Sequence, residues 1–173
     1  HHIEPSEDSE GLQLMAQHLR QTGYPFGIVF DYDADRGTLS PEMDPQTMAA
    51  LNVAMALSWM DAHGLAEGQN VVVVAHDATS MRVEAIAGLF SRPGREVRVR
   101  RVETGEVNVV SAMQEERENG NFVPIGVEGA NGGTVFMEST SRDGVVTAIL
   151  TGLALFDATI YETWGRTLAA SAP

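Results

Sequence analysis

Apolar residues recur at three- and four-residue spacing along 9–22, at Leu12, Met15, Ala16 and Leu19, and Gly23 follows. This pattern predicts an amphipathic helix with a glycine stop. Residues 26–30 form a short apolar run that reads as a strand. Asp44-Pro45 puts a capping side chain ahead of a proline at the first helical position, which predicts a helix over 46–63, stopped by Gly64. The run NVVVVA at 70–75 is continuously apolar after its first residue, as in a strand covered on both faces. Further on, 81–90, 107–118 and 143–156 read as helices and 96–102 as a strand, while 116–121 and 129–134 are rich in turn formers. Strand and helix alternate through the middle, so the predicted fold is α/β, a mixed, mostly parallel sheet flanked by helices.

The first helix and strand stand apart from this series, and the strand lacks an evident partner. The chain therefore reads as cut from something larger: 1–40 the end of a preceding domain, 41–157 the main domain, 158–173 an extension or linker. His1-His2 is either the stub of a tag or natural sequence.

A length of 173 residues allows one domain of ordinary size or parts of two. The formal charge of −13 argues against nucleic acid and anionic membrane as partners, because phosphates are repelled. An acidic chain that handles anions must recruit a cation. There is no cysteine, which excludes disulfides and thiolate metal sites and is compatible with a cytoplasmic setting. The apolar span at 145–156 is too short to cross a bilayer.

The stretch FGIVFDYDADRGTLSPE at 26–42 places Asp31, Asp33 and Asp35 directly behind the first strand. The spacing matches a calcium loop only numerically, since Arg36 stands where such a loop needs glycine and a strand precedes it instead of a helix. An aspartate-nucleophile phosphatase carries DxDGT after a strand; here Gly37-Thr38 is displaced by two residues. A plain acidic turn is the bland reading. A magnesium loop is the remaining one: converging carboxylates raise one another's proton affinity unless a divalent cation neutralises them, and hard oxygen ligands suit Mg2+. Arg36 adds a fixed cation.

The run FDYDADR resembles the magnesium loop of the α-D-phosphohexomutase superfamily, the phosphoglucomutases and phosphomannomutases. Three further stretches follow in family order. TGEVNVVSAM at 104–113 resembles a loop that helps define sugar specificity, GVEGANGG at 126–133 the sugar-binding loop, and SRDGVVTAIL at 141–150 the helix start after it. The opening HHIEPSEDSEGL is similar to the family's segment before its helix. The resemblance implies a piece covering the end of domain 2 and domain 3 of a magnesium-dependent mutase. Such enzymes pass a phosphoryl group between a phosphoserine and a hexose phosphate through a bisphosphate. It assigns Asp31, Asp33 and Asp35 to the metal, Arg36 to the electrostatics of catalysis, Glu128 and Asn131 to the sugar, and Thr104, Gly105 and Glu106 to the lining of the sugar site.

The departures are informative. Tyr32 replaces a glycine of the metal loop, Asn131 stands where serine is common, and Gly133 where some members have histidine. No ASHNP-like serine loop occurs in the 173 residues, and Ser80 is a poor substitute. With domains 1 and 4 missing, this polypeptide is expected not to turn over substrate. A non-catalytic sugar-phosphate or metal-binding module of the same fold is the alternative.

Elsewhere the bland reading prevails. His18 and His63 read as surface residues, His76-Asp77 as a structural strand end, and Trp59 and Met60 as core. Arg92, Arg95, Arg98, Arg100 and Arg101 form the one basic cluster, read as a solvated edge strand or a docking surface for an acidic domain.

Overall fold

A computed structural model describes residues 10–40 and 44–156, with the side chains of 39, 40 and 153–156 excepted. Expectations for 1–9, 41–43 and 157–173, including the start of the first helix and the C-terminal extension, lie outside the described residues. The element order is α1 (Glu10–Thr22), β1 (Gly27–Phe30), β2 (Gly37–Ser40), α2 (Pro45–Ala62), β3 (Val71–His76), α3 (Arg82–Leu89), β4 (Val97–Val102), α4 (Glu106–Glu118), β5 (Ile125–Glu128), β6 (Gly133–Phe136) and α5 (Gly144–Phe156).

The main sheet has the order β4-β3-β5-β6, with β4, β3 and β5 parallel and β6 antiparallel to β5. Every residue of β3 is buried because successive side chains enter different layers. Val71, Val73 and Ala75 pack with Val53, Leu57 and Met60 of α2 and Val83 and Ala87 of α3. Val72 and Val74 pack with Val109, Ala112 and Met113 of α4. The result is three layers, helix, sheet and helix, and the α/β fold is as the sequence pattern predicts.

Helix α2 begins where the proline-and-cap signal places it. Asp44 accepts from the Thr47 backbone N–H at 2.9 Å, and Pro45 occupies the first turn. The helix is apolar all round because it is covered from several directions, by the main sheet, α3, β2 and α5. Its buried Asn52 donates to the Thr134 hydroxyl of β6 at 3.1 Å and accepts from the Thr151 hydroxyl of α5 at 3.3 Å. Among the described residues no helix is long and apolar enough to cross a membrane.

Three expectations need correction. The first strand is not alone, since β1 pairs antiparallel with β2 and the acidic stretch is the loop of that hairpin. The stretch 116–121 is not all loop: α4 continues to Glu118, and Glu116 stays in its last turn, buried beneath Arg98, Arg100 and Asn121. The turn-rich stretch 129–134 holds only a tight turn, after which β6 starts at Gly133 and pairs with β5.

Candidate functional site

Parallel strands deliver their C-terminal ends to one edge of the sheet, where ligands of open α/β folds bind. His76 ends β3, Glu128 ends β5, and helix α4 begins there with Glu106. The β1–β2 hairpin brings the acidic loop to the same edge. Arg36 forms a bridge to Gly133, and the Gly144 N–H donates to the Ala34 carbonyl at 3.1 Å.

Within the loop, the left-handed turn is made by Ala34, at φ +59°, and not at position 32. Tyr32 therefore needs no glycine-like backbone, and its ring projects into solvent at 89% exposure. The Asp31 carboxylate folds back onto Arg36, accepting from the backbone N–H at 3.2 Å and from Nε at 2.6 Å. One oxygen each of Asp31, Asp33 and Asp35 lies within 4.8 Å of the others. Burial pushes Asp31 up, but the bonds from Arg36 outweigh it and hold its pKa below the ordinary value. Asp35 goes the other way: burial raises it, with the hydrogen bond to Asp31 and repulsion from Asp31 and Asp33 adding, against the attraction of Arg142. Part of the rise comes from the neighbouring negative charges, which a hard divalent cation would relieve. The donor set, three carboxylates on one short loop, fits such a cation.

Glu128 is 1% exposed, and the way it is satisfied is uneven. Its Oε2 accepts from Arg142 at 3.0 Å and from the Asn131 amide at 3.4 Å, whereas Oε1 has no hydrogen-bond partner among the described residues. A buried carboxylate oxygen left bare is costly unless a ligand completes it. Gly133 gives this carboxylate its room. A Cβ there would lie 2.7 Å from Glu128 Oε2 and 2.5 Å from Arg142 Cδ, so a histidine at that position would not fit. The turn between Glu128 and Gly133 is anchored from below: the Gly129 N–H donates to the Thr79 hydroxyl at 3.0 Å, and Ala130 to His76 Nε2 at 3.4 Å. His76 is thus a buried support for the loop, in line with its structural reading.

Arg142 is the residue that sequence reasoning missed. Its guanidinium reaches Asp35 at 2.5 Å, Glu128 at 3.0 Å and Glu106 at 3.5 Å, and its backbone N–H donates to Glu106 at 2.7 Å. The available signal was an arginine immediately ahead of the Asp143 cap of α5. Asp35, Glu106, Glu128 and Asn131 are brought together, with Asp31, Asp33 and Arg36 alongside. Thr104 faces elsewhere, donating to Asp77 at 2.8 Å, and Gly105 serves as the start of α4, at φ +133°. Arg36 is engaged through its Nε with Asp31 at 2.6 Å and with Asp35 at 3.5 Å.

The basic cluster lies on and beside β4, which is an edge strand of the main sheet as expected, and its arginines are ion-paired there. Arg95 is 3% exposed and pairs with Asp61 at 2.6 Å. Arg98 and Arg100 pair with Glu116, Arg100 also with Glu115, and Arg101 with Glu84. Of the two residues read as core, Met60 is buried, while Trp59 is partly exposed and lies against His63, with ring centroids 4.8 Å apart.

Residues 50–165 match the family model described as phosphoglucomutase/phosphomannomutase, alpha/beta/alpha domain III. No curated protein matches the chain. Among solved structures, it is similar to a protein assigned as a phosphomannomutase from Thermus thermophilus, at 22% identity and a TM-score of 0.54, over 91% of this chain and 33% of that one. It is likewise similar to a phosphoglucomutase/phosphomannomutase family protein from Burkholderia thailandensis, at 19% identity and a TM-score of 0.58, over 90% of this chain and 32% of that one. At such identities the likeness shows the fold, and the chain spans about a third of the length of these structures.

Proposed function

Because the chain belongs to the phosphoglucomutase/phosphomannomutase family through its α/β/α domain III, we propose that it forms the sugar-recognition and metal-loop portion of a hexose-phosphate mutase. The observation that carries this reading is the bare, buried Oε1 of Glu128, set beside the acidic trio and tied to it through Arg142. A carboxylate with one oxygen in reserve accepts hydrogen bonds from neighbouring sugar hydroxyls. Asn131 and Glu106 flank it.

Asp31, Asp33 and Asp35 would hold Mg2+, which supplies positive charge where a phosphoryl group changes hands. Arg36 fixes the orientation of Asp31, and the Gly144–Ala34 bond fixes the distance of the loop from the sugar carboxylate. The phosphoserine and the domain that grips the distal phosphate would come from polypeptide beyond these 173 residues, so the chain alone binds but does not turn over. The phosphatase reading fares worse. Thr38, whose hydroxyl it needs at the phosphoryl group, is buried within β2 opposite Val29.

The test is a calorimetric titration of the chain with glucose 1-phosphate and with mannose 1-phosphate in excess Mg2+, for the wild type and Glu128→Gln. Removing a charged acceptor from bound hydroxyls costs about 1.5–3 kcal/mol, or roughly ten- to a hundredfold in affinity. Equal affinity of wild type and variant for both sugars would remove Glu128 from the sugar site.

A further inference from the structure

We infer that Arg142 is a positioning residue that couples the metal loop to the sugar carboxylate, so that the occupancy of one governs the affinity of the other. The inference rests on the proposed metal and sugar sites. One guanidinium serves Asp35 of the β1–β2 loop, Glu128 at the end of β5 and Glu106 at the start of α4. Three carboxylates from three separate elements share this cation, Asp35 reaching Arg36 Nε as well at 3.5 Å, in a partly buried setting where charges are screened far less than at the surface.

The location of the arginine is imposed by its neighbours. Asp143 caps α5 by accepting from the Val146 N–H at 2.8 Å, which fixes the backbone just ahead of the helix. The Arg142 N–H is tied to Glu106, and Gly133 leaves its side chain a passage that a Cβ would close. The guanidinium is thereby held among its three partners. It can only be shared among them differently.

Sharing makes the sites interdependent. A divalent cation on the acidic loop draws on Asp35 and leaves more of the guanidinium to Glu128 and Glu106. Conversely, removing the charge of Glu128 leaves Arg142 to be shared between Asp35 and Glu106 only and makes it a stronger competitor for the carboxylate that the cation needs. Such linkage is reciprocal. A strut that merely held the fold together would not transmit a change at Glu128 to the metal loop.

The test measures Mn2+ affinity, with Mn2+ as the spectroscopic stand-in for a hard divalent cation, by electron paramagnetic resonance of the free ion. The chain is compared as wild type, Glu128→Gln, Arg142→Met, Arg142→Lys and the two double variants. Glu128→Gln is expected to weaken Mn2+ about fivefold in the wild-type background, at the low end of usual coupling. It is expected to have less than about a twofold effect beside Arg142→Met. Arg142→Lys behaves like Arg142→Met, since an ammonium lacks the fork that serves three carboxylates at once. Glu106→Gln, which keeps Arg142, acts in the same direction as Glu128→Gln and covers the case in which the arginine variants do not fold. An equal effect of Glu128→Gln with and without Arg142 overturns the coupling, as does the absence of any effect from both glutamate variants. A wild-type chain that binds no Mn2+ instead overturns the metal-loop reading, and the coupling with it.

Discussion

Replacing Gly144 with alanine sets two physical effects of opposite sign against each other. Gly144 opens α5, and its φ lies outside the left-handed region, so alanine suits the backbone. Helix propensity alone then predicts stabilisation, up to about 1 kcal/mol in a helix interior and less in a first turn. The surroundings predict the reverse. An added Cβ would lie 2.6 Å from the Ala34 carbonyl oxygen, 2.8 Å from the Arg36 carbonyl carbon and 2.9 Å from its oxygen. These are main-chain atoms of the acidic loop and cannot swing aside. Restoring a contact of 3.4 Å requires the loop to retreat by about 0.8 Å. Overpacking of this kind costs about 1–3 kcal/mol, and the Gly144–Ala34 hydrogen bond, worth about 1 kcal/mol, is stretched with it. The expected net is a loss of about 1–3 kcal/mol by urea denaturation, or a Tm lower by about 3–10 °C for a domain of this size. The same retreat pulls Asp35 from Arg142, its competitor for the cation, so Mn2+ affinity rises in the same variant. A Gly144→Ala protein as stable as the wild type, or more so, with unchanged Mn2+ affinity would refute the claim that the loop is seated on this glycine.

Two further expectations concern the scaffold. Burial pushes Glu116 up, but bonds from Arg98, Asn121 and Arg100 prevail and hold it below the ordinary carboxylate value. A depressed carboxylate stabilises the fold above its unfolded pKa, and this contribution is lost as pH falls through the folded value. The Tm difference between wild type and Glu116→Gln should therefore be full at pH 7 and shrink as pH drops below about 4.5; a gap constant down to pH 3 would contradict it. Asn52→Ala leaves the buried hydroxyls of Thr134 and Thr151 without their shared partner and should cost about 1–3 kcal/mol in urea melts. A change under about 0.5 kcal/mol would mean that this link between α2, β6 and α5 is replaced by other bonds.

The elements legible in the sequence are those whose signal is local. Asp44-Pro45 marks the start of α2, Gly23 stops α1, and the unbroken valines of β3 announce a strand covered on both faces. Strands β2, β5 and β6 escape notice because each is four residues long and sits among glycines and turn formers rather than in an isolated apolar run like that of β1, so their identity comes from partners. Gly126 is a strand residue because Val74 and Val135 lie on either side of it. The acidic trio is visible as a motif, and its loop is confirmed as a turn, but its setting in a hairpin is not written in the spacing. The ion pairing of the basic cluster was not legible for a related reason: Asp61, Glu84, Glu115 and Glu116 are distant in the chain and meet the arginines only after folding. Arg142 is the sharpest instance, since its importance lies wholly in the convergence of residues 35, 106 and 128. No window of sequence contains all of them.

The most direct measurement is a titration of the isotopically labelled chain with a hexose 1-phosphate and Mg2+, followed through its backbone amide resonances. Perturbations are expected to concentrate at 31–36, at 126–133 and at Arg142, and to weaken at the turn residues when Glu128 is replaced by glutamine. Saturating ligand that leaves those amides in place, or shifts only the arginine-rich edge of β4, would contradict a sugar-phosphate site at this end of the sheet.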